Sequence, residues 1–304
     1  MNLLDQGVLY LLAVSLGLII SRVRALGRLA EAINFMNLWV ALPGLFFVIY
    51  FARGVLSEDL GIAAFSAIFV TILVLFLSLA SRGAAAEVRG TVVLNGAFVN
   101  AVNIPFPVLQ VVMGTNAYAA TFAATTSAAQ ILVAKVLQQH FGTGTEGGAR
   151  GSAARIAPLI ALGAGVLLHY IIWPVMPPNG LVESAGLVET LLIAAVFLYF
   201  GAALGATFKG SKGGLGVSSR PFWTLAITRC LIGPILGLLL ALPLGEGSPV
   251  YLQMVFEAAM PPAILNTLIL RVYGFDADSS AKWTTILTPI NTIEAVALLF
   301  ALGG

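Results

Sequence analysis

The chain has 304 residues, of which 59% are hydrophobic and only 9% charged, with a formal net charge of +2. A soluble domain carries about 25% charged residues, so this composition excludes an ordinary soluble globule and points to an integral membrane protein. The basic residues stand in short stretches between apolar runs, not in a patch, which gives no footing for nucleic acid.

Reading in chain order, Met1–Gln6 carries no side-chain positive charge, and Arg22, Arg24 and Arg28 follow the first apolar run instead of preceding it. That order predicts a retained first helix that starts outside, not a cleaved signal peptide. Apolar runs long enough to cross a bilayer fall at roughly 7–21, 32–51, 60–80, 88–113, 116–137, 155–173, 185–206, 221–243, 248–271 and 279–302. The expectation is an all-α integral membrane protein of ten transmembrane helices.

Basic residues test that count. With the N-terminus outside, the inner loops and helix ends hold Arg22, Arg24, Arg28, Arg82, Arg89, Lys135, Arg150, Arg155, Lys209, Lys212, Arg220, Arg271 and Lys282. The outer side holds Arg53, and Arg229 falls within the eighth span, where its long stem suggests snorkelling to the inner surface. Both termini are then expected outside, on a multi-pass protein of the cell membrane.

Two spans are broken in the middle. The fourth reads Asn95-Gly96-Ala97-Phe98-Val99-Asn100-Ala101-Val102-Asn103-Ile104-Pro105-Phe106-Pro107, and the ninth reads Glu257-Ala258-Ala259-Met260-Pro261-Pro262-Ala263-Ile264-Leu265-Asn266. Proline and amides at membrane depth are tolerated where they line a cavity, and a matched pair of interruptions in two halves marks a transporter binding site. Gly274, Ala277 and Thr285 each lie 160 positions after Gly114, Ala117 and Thr125. Five spans per half makes the second copy inverted, a 5+5 repeat with discontinuous, crossing helices 4 and 9. The halves are expected at 1–137 and 155–304, with a Gly-rich inner linker at 138–154 that includes Gly142–Gly148.

The residues at the breaks suggest chemistry. A half-helix starting at Pro107 or Pro261 would turn its positive end toward an anion, and a half-helix ending there would offer carbonyls to a cation. Asn100, Asn103 and, across the repeat, Asn266 supply amide donors and acceptors, for a substrate or for the opened backbone. Glu257 lies near the middle of its span, where a charged acid costs about 2.5–3.5 kcal/mol; it is therefore protonated, paired or ion-bound. Glu294 follows similar logic, whereas Glu189 reads as interfacial and His169 as interfacial or interhelical. Gln130 and Thr125 in the fifth span, with Thr285 and Asn291 in the tenth, line the same cavity or pack helices. Cys230 reads as a small buried hydrophobe. No metal or enzyme motif is present, so no cofactor is expected beyond a coupled Na+ or H+.

Leu42-Pro43-Gly44-Leu45-Phe46, the spacing Asn100–Pro107–Gly114, and Ala258-Ala259-Met260-Pro261 followed by Asn266, Tyr273-Gly274 and Asp276 together resemble the auxin efflux carrier family of secondary transporters. The likeness runs along the whole chain. It departs at Pro105, where the family has glycine, and at Asn103, where an apolar residue is common. The resemblance implies a bile-acid-symporter-like fold with a scaffold from helices 1, 2, 6 and 7, which often forms a homodimer contact. A mobile core comes from helices 3–5 and 8–10. It also implies elevator-type alternating access for a small organic anion, an auxin- or malate-like carboxylate, with Asn100, Asn103, Pro105, Pro107, Pro261 and Asn266 at the substrate. Glu257, Glu294, Gln130 and Thr285 are expected at a coupling ion. A sodium-coupled bile-acid-type symporter, a cation/proton antiporter and a non-transporting membrane sensor are the alternatives.

Overall fold

Backbone in a hydrocarbon layer must satisfy its own hydrogen bonds, and apolar runs of this length do so as helices. The computed structural model describes residues 3–23, 26–141, 149–172, 179–210 and 217–303, and these are almost wholly helical, with no strand beyond one isolated bridge. Of the linker expected at 138–154, residues 142–148 lie outside the described residues, and its two ends belong to helices that stop at Phe141 and start at Ala149.

Helix α1 spans Leu3–Arg22; α2 (Gly27–Met36) continues through a π segment (Asn37–Ala41) into α3 (Leu42–Arg53). Then come α4 (Glu58–Ala80), the short pair α5 (Ala86–Ala97) and α6 (Pro105–Met113), and α7 (Ala117–Phe141). The second half runs α8 (Ala149–Ile172), α9 (Asn179–Gly210), and α10 (Arg220–Ile227), which passes through a second π segment (Thr228–Ile232) into α11 (Gly233–Ala241). It closes with the short pair α12 (Pro249–Ala258) and α13 (Ile264–Val272), then α14 (Ala277–Gly303).

Seven of these helices, or helix runs, are long and apolar enough to cross a membrane: Asp5–Arg22, Glu31–Arg53, Glu58–Ala80, Ala117–Phe141, Ser184–Ala203, Arg220–Leu244 and Ala277–Gly303. The difference from ten has local causes. The sixth expected span contributes a shorter apolar stretch, Ile156–Ile172, and the fourth and ninth are each divided into two half-helices by their breaks. Both π segments carry a bond back five residues, from the N–H of Leu42 to the carbonyl of Asn37 and from Gly233 to Thr228; the first places Asn37 inside the protein and the second Thr228 and Arg229.

Two helix pairs meet backbone to backbone through glycine. A Cβ on Gly17 of α1 would collide with the backbone of Leu198 and Ala202 on α9; one on Gly201 would strike Val14, and one on Gly205 would strike Ser21. On the other pair, a Cβ on Gly165 of α8 would lie against the Phe47 carbonyl and the Phe51 N–H of α3. Without a hydrophobic drive between helices in lipid, such close approach is what holds them. His169 of α8 adds an Nδ1 contact of 2.8 Å to the Phe51 carbonyl, so it is interhelical.

A charged cluster ties α3 to α4 and α7. Arg53 meets both Asp59 oxygens at 2.9 and 3.2 Å and donates to Thr121 Oγ1 at 2.9 Å. Thr121 donates to Asp59, Tyr50 shares a 2.8 Å bond with Thr121, and the Arg53 guanidinium stands 4.3 Å over the Tyr50 ring. Arg53, expected on the outer side, is largely covered in this network and has a bidentate partner, the strong form of ion pairing.

Gly201→Val should destabilise the detergent-solubilised protein by about 1–3 kcal/mol or more, because the added carbons meet main chain and not a yielding side chain. Gly186→Ala on the same helix, where nothing lies within 4 Å, should leave the unfolding temperature unchanged. Thermal unfolding of the two variants side by side is the measurement.

Candidate functional site at the two helix breaks

At the first break α5 stops at Ala97, and Phe98 turns extended after its N–H bonds the Leu94 carbonyl at 3.1 Å. The Asn100 side-chain oxygen accepts the Asn103 N–H at 3.1 Å, a local turn that spares the chain a lost ladder bond. Helix α6 begins at Pro105, not Pro107. Proline suits the first turn because a donor there has no partner inside the helix. The expectation that N–H groups at Pro107 await an anion is therefore corrected: residues 105 and 107 have none, and those of Phe106 and Val108 bond Val102 and Ile104 at 3.3 Å each.

At the second break α12 stops at Ala258 and α13 starts at Ile264, with no side-chain cap from Ala263. The two breaks meet. The Asn100 N–H donates to the Pro261 carbonyl at 2.8 Å and the Ala263 N–H to the Phe98 carbonyl at 3.1 Å, an antiparallel bridge centred on Val99 and Pro262. Pro262 sits at the non-hydrogen-bonded position of this pair, so its missing donor costs nothing.

Asn266 completes the junction. It is fully buried, and its Nδ2 donates to the Leu94 carbonyl at 3.2 Å and the Phe98 carbonyl at 2.9 Å, capping the end of α5. Its Oδ1 accepts from Gln130 Nε2 of α7. Asn266 thus satisfies opened backbone, one of the two roles its sequence position allowed.

A cavity, partly open to its surroundings, adjoins the bridge. Its polar lining comes from Asn37, Asn100, Asn103, Thr126, Ser127, Gln130 and Tyr199, and its apolar wall from Leu38, Leu42, Phe46, Phe98, Val99, Val102, Ile131, Pro158 and Leu265. No Asp, Glu, Lys, Arg or His is among these residues. Asn100 is only 2% exposed, yet its Nδ2 has no hydrogen-bond partner; Asn103 Oδ1 and Asn37 Oδ1 are likewise buried without one. A buried amide left unmatched costs about 1–3 kcal/mol, and three such atoms stand around this one cavity.

Of the residues singled out from sequence, Asn100, Asn103 and Gln130 line this cavity, Asn266 stands directly behind Gln130, and Pro105, Pro107 and Pro261 shape the break without lining it. Glu257 is fully buried in α12, and neither carboxyl oxygen has a partner. Glu294 accepts from Asn291 at 3.2 Å, and Thr285 and Thr125 bond back to Ala281 and Thr121 in their own helices. None of these four borders the cavity.

Arg229 corrects another expectation. It is completely buried, not snorkelling, and its Nη2 donates to the Ala258 carbonyl at 3.0 Å. Asn37, Thr126, Ser127 and Tyr199 are lining residues that pattern-reading passed over; a lone amide opening the apolar run Leu38–Tyr50 was the available signal for Asn37. Gln253 was also missed. It ties α12 to the turn before α7, accepting the Ala119 N–H at 2.9 Å and donating to the Thr115 carbonyl at 3.0 Å.

These features define a multi-pass helical membrane protein with a cavity at the junction of two interrupted helices. No protein-family model matches the chain, and no curated protein matches it. Among the described residues no group of three or more His, Cys, Asp or Glu is placed to hold a metal ion.

The two asparagines should separate by stability. Asn266→Ala removes a second bond from each of two buried carbonyls and the acceptor from Gln130 Nε2, three buried bonds in all, and should destabilise by about 2–4 kcal/mol, whereas Asn100→Ala removes one local bond and should cost about 1 kcal/mol. Unfolding temperatures in detergent report the order.

Proposed function

We propose that the chain is a secondary transporter of a small organic anion, working by alternating access, and that it belongs with the auxin efflux carriers that its motifs resemble. The observation that carries this reading is the cavity beside the paired breaks, where Asn100 presents a buried, unpartnered amide nitrogen. The amide offers a donor, and the amino end of α13 beside Ala263 and Leu265 a positive helix end, to one carboxylate. Phe46, Phe98, Leu42 and Ile131 fit an apolar body behind it. No cationic side chain lines the cavity to match a second carboxylate, which favours a monocarboxylate over a malate-like diacid.

The proposed architecture is ten spans in an inverted 5+5 repeat, the half-helix pairs α5–α6 and α12–α13 serving as the fourth and ninth. Reciprocal ties support it. Thr91 of α5 bonds the Asp276 carbonyl just before α14, while Gln253 of α12 bonds the Thr115 carbonyl just before α7, so each half-helix holds the turn that follows the other pair. The glycine contacts α1–α9 and α3–α8 support a rigid scaffold of spans 1, 2, 6 and 7, against which the core of spans 3–5 and 8–10 moves in an elevator step. Homodimerisation through that scaffold, a cell-membrane location and both termini outside complete the proposal. Glu257 is the coupling group, a carboxyl that must hold a proton or a cation where it stands, because no donor reaches it.

Uptake into proteoliposomes tests the proposal with aromatic monocarboxylates beside dicarboxylates. Wild type should take up the former, Asn100→Ala should lower uptake about 10–100-fold through loss of a charge-assisted bond, and Glu257→Gln should keep exchange while losing dependence on an ion gradient. Unchanged uptake in both variants removes the site. Binding without flux identifies a sensor instead.

A further inference from the structure

A helix that ends inside a protein leaves its last four carbonyls and the negative end of its dipole without partners, and in lipid a cation is one way to satisfy them. The expectation for α12 was such a cation. Its last turn is instead complete. The Ala259 N–H, 3.2 Å from each, is shared by the Val255 and Phe256 carbonyls, the Met260 N–H takes the Glu257 carbonyl at 3.1 Å, and Arg229 Nη2 takes the Ala258 carbonyl at 3.0 Å.

The surroundings are built for that guanidinium. Gly233 leaves its place open, since a Cβ there would overlap Arg229 Nη2, and a Cβ on Gly237 would overlap the Ala258 methyl, so both glycines let α11 close on the end of α12. The π segment carries Arg229 on the face turned to this junction. The Phe69 ring lies 5.9 Å away, and Nε and Nη1 are buried without partners. A guanidinium is therefore fixed at the second break, with Glu294 of α14 the acidic group close enough to interact with it, while the cavity wall itself is uncharged. The opposite half-helix, α5, has its end capped by the neutral Asn266 amide.

We propose that Arg229 is a built-in cation: its guanidinium fills the place at the carboxyl end of α12 that a coupling sodium ion would otherwise take, so that the site forms and binds its anion without sodium. This rests on the transporter reading for its purpose, and it assigns Arg229 as a positioning residue that holds the end of α12 and supplies positive potential to the junction. The proton then remains as the ion for Glu257, one residue before the capped carbonyl.

The test is thermal unfolding of purified full-length protein in detergent, in sodium chloride and in choline chloride at equal ionic strength. Wild type and Arg229→Lys should unfold at the same temperature in both salts. Arg229→Ala should unfold earlier in choline and recover by about 2–4 °C in sodium, or in a few tens of millimolar guanidinium, as a ligand refills the vacated place. A sodium-specific rise in wild type overturns the proposal, as does an Arg229→Ala protein indifferent to both cations. Should the alanine variant fail to fold, Arg229→Gln carries the same comparison with a neutral donor. Since unfolding is read without flux, a protein that transports nothing fails only the uptake assay.

Discussion

Everything at the centre of this molecule depends on two main-chain hydrogen bonds, Asn100 to Pro261 and Ala263 to Phe98. An extended segment in a hydrocarbon layer has no water to satisfy it, and a single broken helix would expose several unmatched groups. Two breaks laid antiparallel satisfy each other. That pairing fixes which ends of α5, α6, α12 and α13 converge, and it leaves four helix termini at one place. Each terminus is then handled by a different device. Prolines 105 and 107 remove donors from α6, Asn266 caps α5, Arg229 caps α12, and α13 alone keeps an uncapped amino end.

The cavity follows from that asymmetry. Had all four ends been capped alike, the junction would be a polar knot with no preference. Because the donors at α6 are deleted and the acceptors at α5 and α12 are filled, the donors left at the junction are the Asn100 amide and the start of α13, with the Asn37 and Asn103 side-chain oxygens as unpartnered acceptors beside them. Residues from the glycine-held helices, Phe46 of α3, Pro158 of α8 and Tyr199 of α9, close the other side. The cavity therefore lies between a rigid pair of seams and the bridged breaks, the place where relative movement would open and close it.

Sequence alone carried the helical class, the positions of the long apolar helices, and the location of both breaks, because proline and amides inside apolar runs have few physical readings in lipid. It pointed to Asn100 and Asn103, which line the cavity, for the same reason; Gln130, expected at a coupling ion or in helix packing because its helix follows the first break, lines it too. What the sequence lacked was direction. Whether Asn266 faces a substrate or a carbonyl depends on the register of α13 against α5, which only the bridge sets. Arg229 was read as reaching water because its depth along the run allows it, yet a π segment and two glycines turn it inward. The spacing Gly233-x-x-x-Gly237 was a visible sign of close helix approach on that face. Asp59, which lies at the start of its run, gave no comparable sign that it would join Arg53 and Thr121 across three helices.

The glycine seams also bear on how such a protein can diverge. At Gly17, Gly165 and Gly201 the neighbour is main chain, which no compensating side-chain change can shorten, whereas the exposed positions Leu11, Leu12 and Leu16 on α1 meet no such limit. Sequence drift is thus channelled onto the outer faces, and overall similarity between two such proteins can fade while the packing is retained. Distant kin would be recognisable by a sparse barcode of small residues at fixed intervals rather than by the bulk of their letters.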